Sequence, residues 1–215
     1  MIPQPTFRAA LAAAWRGESL ARASMDAALA GRRLAGAAIV DVGGAKSAGY
    51  RSRLALDPGA RIESVDGATH AVDFERDPLP RADGEADAAI CCNVLEHIYD
   101  HRHLVAEIRR VVKPGGTLLG FVPFFVQYHP DPRDYFRYTG EALDRILRDA
   151  GFAQVSVEAV GQGPIGVCLN SLMLSLPRPL RPVLVALLWP LALLSLRARP
   201  ALRDRFPLGY AFEAR

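Results

Sequence analysis

The stretch FFVQYHPDPRDYFRY, residues 124 to 138, concentrates side chains able to do acid–base and recognition chemistry. His129 is the leading candidate base, because imidazole titrates near neutral pH and can take a proton from an oxygen or ammonium nucleophile. Tyr128 and Tyr135 can shape an acceptor site or face a cation with their rings. Arg133 and Arg137 can hold an anionic substrate. A structural reading competes at each position: Asp131 or Asp134 pairs with the arginines, and His129 packs beside Pro130. His97, in Leu95-Glu96-His97, offers a second imidazole as base or substrate contact, against the plainer reading of a satisfied helix histidine.

A second constellation is IVDVGGAKSAGY, residues 39 to 50. An apolar run ends in Asp41 and small residues follow, as where a strand turns into a ligand-holding loop. Lys46-Ser47 resembles the end of a phosphate-binding loop, but that motif needs glycines where Ala45 and Val40 stand. A dinucleotide fingerprint needs glycines at 43, 45 and 48, of which only Gly43 is present. The remaining pattern is acid-x-Gly-x-Gly-x-Gly, with Ala45 and Ser47 replacing the second and third glycines. That pattern resembles the first motif of class I S-adenosylmethionine-dependent methyltransferases, whose cofactor carries an ammonium group and no phosphate; the resemblance implies that the strand-end carboxylate meets the ammonium and that small residues let the chain turn close to it.

These loops need a scaffold, and 215 residues suffice for one α/β domain with a full core and one sizeable insertion. Half the residues are hydrophobic and 23% are charged, a folded-protein composition. A net charge of +3 is too small to argue for nucleic acid, and no such partner is expected. Cys91 and Cys92 are adjacent in an apolar run and Cys168 stands alone. That is neither redox nor metal-ligand spacing, so reduced cysteines, a cytoplasmic setting and no metal site are expected. The start MIPQPTFRAALAAAW lacks the pattern of a secretory signal.

The Ala/Leu/Arg-rich residues 5 to 30, broken at Gly17, predict two short helices. Strands are predicted at 36–42, 60–66, 70–74 (HAVDF), 87–93, 117–124, 154–160 and 208–214. The apolar run at 87–93 does not alternate, as expected of a strand covered on both faces. Apolar residues at 104, 105, 108, 111 and 112 have helical spacing, and KPGG is expected to stop that helix. Thr139 can cap a helix from about 140 to 150, with Gly151 as its terminator. Alternating strands and helices point to an α/β, Rossmann-like doubly wound sheet of about seven strands. One domain is expected: N-terminal helices at 1–35, a ligand-binding core at 36–160, a hydrophobic helical insertion at 161–207 and a final strand at 208–215.

The segments PLP…ADAAICCNVLEH, EIRRVVKPGG and HPDPRDYFRYT…LRDAGF stand in one order along the chain. Together with the Asp41 loop they resemble the class I S-adenosylmethionine-dependent methyltransferases of the type 11 group, over residues 36 to 160. The resemblance implies S-adenosylmethionine as cofactor, S-adenosylhomocysteine as product, and a last strand antiparallel to the rest. It implies that Asp41 and Gly43 line the methionine end, with Gly44 and Ala45 completing the loop. Asp66 would bind the ribose hydroxyls, Asp73 the adenine amino group with the Phe74 backbone nearby, and Cys92 and Asn93 would flank the methionine moiety. Ala45, Ser47 and the short interval from Asp66 to Asp73 depart from the family pattern. Plainer readings stand beside these roles: Asp41 caps a helix, Asp66 and Asp73 are turn residues, and Asn93 with Glu96 forms a capping box.

Methyl transfer from a sulfonium is an in-line displacement, so the protein mainly aligns the acceptor and excludes water. The implied acceptor is a small molecule or a lipid- or glycan-linked group. Rival readings are a degenerate methyltransferase fold acting as a binding or scaffold subunit, and an NAD-dependent oxidoreductase, whose glycine pattern is missing.

The insertion contains IGVCLNSLMLSL and VLVALLWPLALLSL, apolar on all sides. The second run has 14 residues with Pro190 inside, shorter than a bilayer span. Arg178 and Arg181 precede it, and Arg197, Arg199, Arg203 and Arg205 follow. Such helices are buried against something. One solution is a lid or a homodimer interface; a second is peripheral contact of residues 165–196 with the inner face of the membrane, arginines at the headgroups; a third is a spanning helix.

Overall fold

The computed structural model describes residues 4–44 and 49–215. Two short strands, β1 (Arg33–Leu34) and β3 (Ala55–Leu56), pair in parallel as a small separate sheet. Six others form the main sheet: β2 (Ala38–Val42), β4 (Arg61–Val65), β5 (Ala86–Cys92), β6 (Val112–Pro123), β7 (Val155–Val160) and β8 (Gly209–Ala214). Their order is β4-β2-β5-β6-β8-β7, and β4, β2, β5 and β6 run parallel. Gln154 and Arg215 exchange backbone hydrogen bonds while Leu208 N–H donates to Val160, so β8 runs antiparallel to β7. This is the expected mixed, mostly parallel Rossmann-like sheet with its final strand reversed.

Burial explains the strand patterns. In β5, Ala88, Ala89, Ile90 and Cys91 are all buried, because the strand lies between β2 and β6. At the sheet edge, β4 buries only Val65. Helix α3 (Gly67–His70) and the turns after it occupy the place where HAVDF suggested a strand. There Asp73 Oδ1 accepts from Glu75 N–H and closes a turn, so Val72 and Phe74 find no ladder partner.

Helix α4 (His101–Val111) buries Leu104, Val105, Ile108 and Val111, the predicted apolar row, and Asp100 caps it through His103 N–H. It ends just before KPGG, as expected, but that stretch continues as part of β6. Ala86 pairs with Val112 and Ala88 with Thr117, so Lys113 to Gly116 form a bulge. Lys113 then pairs with Asp87, whose other oxygen accepts from Ala37 and Ala38 N–H and ties β5 to the start of β2. Helix α5 (Gly140–Asp149) is capped by Thr139, and Gly151 follows at φ 97°.

The chain divides into two compact units: Gly31–Val122, Tyr128–Val157 and Ala211–Arg215 in one, and Met1–Ala30, Pro123–Gln127 and Glu158–Tyr210 in the other. The second is helical, with α1 (Phe7–Arg16), α2 (Leu20–Leu29), α6 (Gly163–Ser175), α7 (Arg181–Ala198) and α8 (Leu202–Arg205). Gly17, at φ 83°, separates α1 from α2 as expected. Val185, Trp189, Ala192 and Leu196 are the buried row of α7. Val185 and Trp189 share a core with Ala10, Ala14, Leu169 and Met173. The opposite row, Val183, Leu187, Leu191 and Leu194, is exposed.

The apolar segment is longer than the sequence suggested. A turn at Arg178–Leu180 runs directly into α7, and Pro190 sits inside the helix without ending it. The resulting 21 residues, Arg178–Ala198, are long and apolar enough to cross a membrane by length and composition.

Candidate functional site

The strand register sets out one site. In β2, Asp41 lies opposite Ser64 of β4 and Ile90 of β5, and Val42 opposite Val65 and Cys91. The residues that follow, Gly43, Asp66 and Cys92, therefore leave three adjacent parallel strands side by side. Chain order reverses between β2 and β5, since β4 lies to one side of β2 and β5 and β6 to the other. Open α/β sheets hold ligands outside the carboxyl ends of their strands at such a switch point. A separate cavity of about 410 Å³, against Ala38, Val40, Arg61, Glu63 and Arg81, covers the earlier part of β2.

Asp41 is fully buried and committed within the protein. Its two oxygens accept from Tyr50 Oη at 2.8 and 2.9 Å, and Oδ2 accepts from Arg51 Nε at 2.6 Å. Arg51 also donates to Ser64 Oγ at 2.6 Å and to the Gly44 carbonyl. Burial pushes the Asp41 carboxyl above its ordinary value, and Arg51 and Tyr50 oppose that shift. Burial likewise raises the Tyr50 phenol. Tyr50 and Arg51 were not singled out from sequence, because nine and ten positions separate them from Asp41 with no motif between.

The two described glycines of the loop have different causes. Gly43 sits at φ 70°, where a side chain is strained. A Cβ on Gly44 would collide with the Asp41 carboxylate itself. Ala45, with Lys46 and Ser47, lies outside the described residues.

Asp66 directly follows β4 and its backbone closes α3 with His70. The Asp73 carboxylate is turned into its own loop, toward Glu75 N–H. Phe74 is buried. Burial raises the Cys92 thiol far above its usual range, so it is a packed thiol and not a thiolate. Asn93 has φ 55°, rare for a non-glycine residue, and its N–H donates to Phe121. The turn Leu95–His97 has no side-chain cap, so the Asn93–Glu96 capping box does not form.

The segment after β6 folds back onto that turn. Tyr135 and Phe136 N–H donate to the Glu96 carbonyl, and Tyr138 Oη donates to the Leu95 carbonyl at 2.9 Å. His129 and His97 meet edge to face with centroids 5.2 Å apart. His97 Nδ1 lies 2.6 Å from the Arg133 carbonyl. Each histidine Nε2 is 3.6 Å from Glu96 Oε1. Glu96 is fully buried, and neither of its carboxylate oxygens has a hydrogen-bond partner among the described residues. The sequence offered no metal site, yet these three side chains converge.

Arg137 follows the structural reading: it grips Asp134 through both oxygens at 2.5 and 2.7 Å, and that bond holds the Asp134 carboxyl down at about 2. Arg133 projects outward, as does Tyr128, 72% exposed. Tyr135 stacks edge-on against Tyr99 at 5.3 Å.

A family model described as a methyltransferase domain matches residues 47–120. A probable S-adenosylmethionine-dependent methyltransferase of Mycobacterium tuberculosis is 28% identical over 92 residues, 40% of this chain and 34% of that protein. An uncharacterized 37.1 kDa protein in a transposon of Streptomyces fradiae is 29% identical over 135 residues, 48% of this chain and 39% of that protein. The chain thus spans well under half the length of these relatives. In fold it is similar to the 4+2 cyclase SpnF, with a TM-score of 0.52 and 20% identity over 100% of this chain and 98% of that one. The match to the methyltransferase-domain model begins six residues after Asp41 and runs through the switch-point strands into β6, so the chain is similar to S-adenosylmethionine-dependent methyltransferases over the part of the sheet that carries the site.

Proposed function

We propose that the chain transfers the methyl group of S-adenosylmethionine to a small-molecule or lipid- or glycan-linked acceptor. The observation that carries this reading is the alignment of Asp41-Gly43, Asp66 and Cys92-Asn93 at the ends of three adjacent strands. In this reading the donor's ammonium engages Asp41, and Arg51 beside it meets the methionine carboxylate. Gly43 and Gly44 let the backbone approach, Asp66 takes the ribose hydroxyls, and Asp73 and Phe74 lie at the adenine. Cys92 and Asn93 flank the methionine chain.

The acceptor enters along residues 128 to 138. His129 takes its proton, His97 and Arg133 hold its polar part, and Tyr128 and Tyr135 exclude water. Arg137 acts through Asp134, which it locks in place.

An apolar acceptor is favoured by a groove of about 440 Å³ lined by Phe124, Phe125, Val126, Val167 and Leu174. The exposed row of α7 and the exposed Arg197, Arg199 and Arg205 support peripheral contact of 165–196 with an anionic membrane, at its cytoplasmic face. A homodimer through α7 is the competing use of the same row.

Calorimetric titration with S-adenosylmethionine, S-adenosylhomocysteine and NAD tests the donor. Micromolar binding of both sulfur compounds is expected; binding of neither favours the scaffold reading, and binding of NAD alone the oxidoreductase. Flotation with anionic liposomes, run beside sedimentation, separates membrane contact from dimer.

A further inference from the structure

We infer that Glu96, His97 and His129 form a binding site for one divalent first-row transition-metal ion. A buried carboxylate without hydrogen bonds is unfavourable unless something else satisfies it. Glu96 is such a group: it is fully buried, and neither oxygen has a partner among the described residues. Its neighbour Arg137 is already bound to both oxygens of Asp134.

The two nearest nitrogens sit at a telling distance. His97 Nε2 and His129 Nε2 are both 3.6 Å from Glu96 Oε1, too long for a hydrogen bond. Ligand atoms held about 2.1 Å from a tetrahedral ion lie about 3.4 Å from one another. The three ligand atoms lie within 4.8 Å of one another, so a single ion can touch all of them.

The outer contacts fit as well. His97 Nδ1 donates to the Arg133 carbonyl at 2.6 Å, which leaves the Nε2 lone pair facing Glu96. His129 Nδ1 lies 3.5 Å from Asp134 Oδ2 and can turn its N–H toward it, which leaves Nε2 for the ion; Arg137 Nη2, 3.4 Å away, can only donate and is no partner for that N–H. Backbone bonds from Tyr135 and Phe136 to the Glu96 carbonyl fix the loop that carries His129 to the turn that carries Glu96. Two imidazoles and one carboxylate suit zinc, manganese or iron(II), and three protein ligands leave a position for water or an acceptor oxygen.

The consequence for catalysis rests on the methyl-transfer reading. With the ion bound, His129 is a ligand in place of the base, and a hydroxyl coordinated at that position sheds its proton to solvent more readily than a free one. Its oxygen then forms the bond to the methyl carbon as the carbon–sulfur bond breaks, and the electron pair returns to sulfur. The site therefore points to an oxygen acceptor.

The test needs no turnover. Chelator-treated protein is titrated with Zn²⁺ and Mn²⁺ by calorimetry and with Co²⁺ by visible absorption, and S-adenosylhomocysteine binding is measured on the same preparation. One equivalent of metal and cobalt ligand-field bands are expected. Glu96→Gln, His97→Gln and His129→Asn, each checked as folded by circular dichroism, are expected to weaken binding at least tenfold. The inference is overturned if wild-type protein binds no stoichiometric metal, or if the folded variants bind as tightly. Metal failure with retained S-adenosylhomocysteine binding removes the metal site alone; the converse removes the methyl-transfer reading and leaves the metal site.

Discussion

Arg51 Nε lies 2.6 Å from Asp41 Oδ2, so the carboxylate at the end of β2 is an ion-paired group before any ligand arrives. The pair is inside the protein: Asp41 is fully covered and the Arg51 side chain is 20% exposed. Asp41 is thus both a structural anchor for the helical turn Gly49–Arg53 and the acid expected at the donor's ammonium.

Removing one partner of a buried pair leaves the other unpaired, which costs about 3 kcal/mol. Asp41→Ala should lose roughly that much stability in urea unfolding, with at least tenfold weaker S-adenosylhomocysteine binding. Asp41→Asn keeps the shape and the Tyr50 bond, so it should fold better and still bind the ligand poorly. Undiminished affinity in folded Asp41→Asn would remove Asp41 from the donor site.

Gly44 is closed to any side chain by that same carboxylate. Gly44→Ala should push Asp41 away from Arg51 and destabilise by about 1–3 kcal/mol, the range for forced overpacking. Donor affinity should fall with it. A stable variant with normal binding would show that the loop yields without disturbing the pair.

The scaffold was legible where local pattern and burial agree. The unalternating run in β5 and the apolar row of α4 each had one solution, and Thr139 and Gly151 bounded α5. HAVDF failed because alternation over so few residues lacks a partner strand, and Asp73 preferred its own turn. The span of α7 was underestimated because only the 14-residue apolar run was counted, whereas the helical segment also takes in the residues from Arg178 before it and as far as Ala198 after it. Asp41 was visible as a strand-end acid, but its partners Tyr50 and Arg51 come from beyond the loop. Glu96 was hidden by the capping-box spacing, and its meaning depends on His129, brought to it by a distant loop.

Asp87 supplies a pH-dependent tie between β5 and β2. Its carboxyl is lowered to about 2, first by the Lys113 bond and then by Ala38 N–H. A carboxyl lowered by folding adds stability above its unfolded value of about 4, and that stability is lost as pH falls through about 2. Part of the pair faces solvent, so the contribution is about 1 kcal/mol. The stability difference between wild type and Asp87→Asn should therefore be constant above about pH 5 and shrink toward pH 2. A difference unchanged across that range would mean that the Ala37 and Ala38 bonds act without the charge.

The two faces of α7 should respond oppositely to mutation. Trp189 is buried in the helical core, so Trp189→Ala should destabilise by about 3–5 kcal/mol in denaturant unfolding. Leu187 and Leu194 are 65% and 63% exposed, and changing both to Glu removes no packing. That double variant should stay within about 0.5 kcal/mol of wild type. On a membrane-facing row it should abolish flotation with anionic vesicles, because burying each carboxylate in the acyl region is strongly unfavourable. On a dimer-forming row, flotation would be absent from the start and the variant would sediment as a smaller species than wild type. If neither flotation nor sedimentation changes, the exposed leucines serve no surface at all, and the apolar acceptor must be argued from the Phe124–Leu174 groove alone.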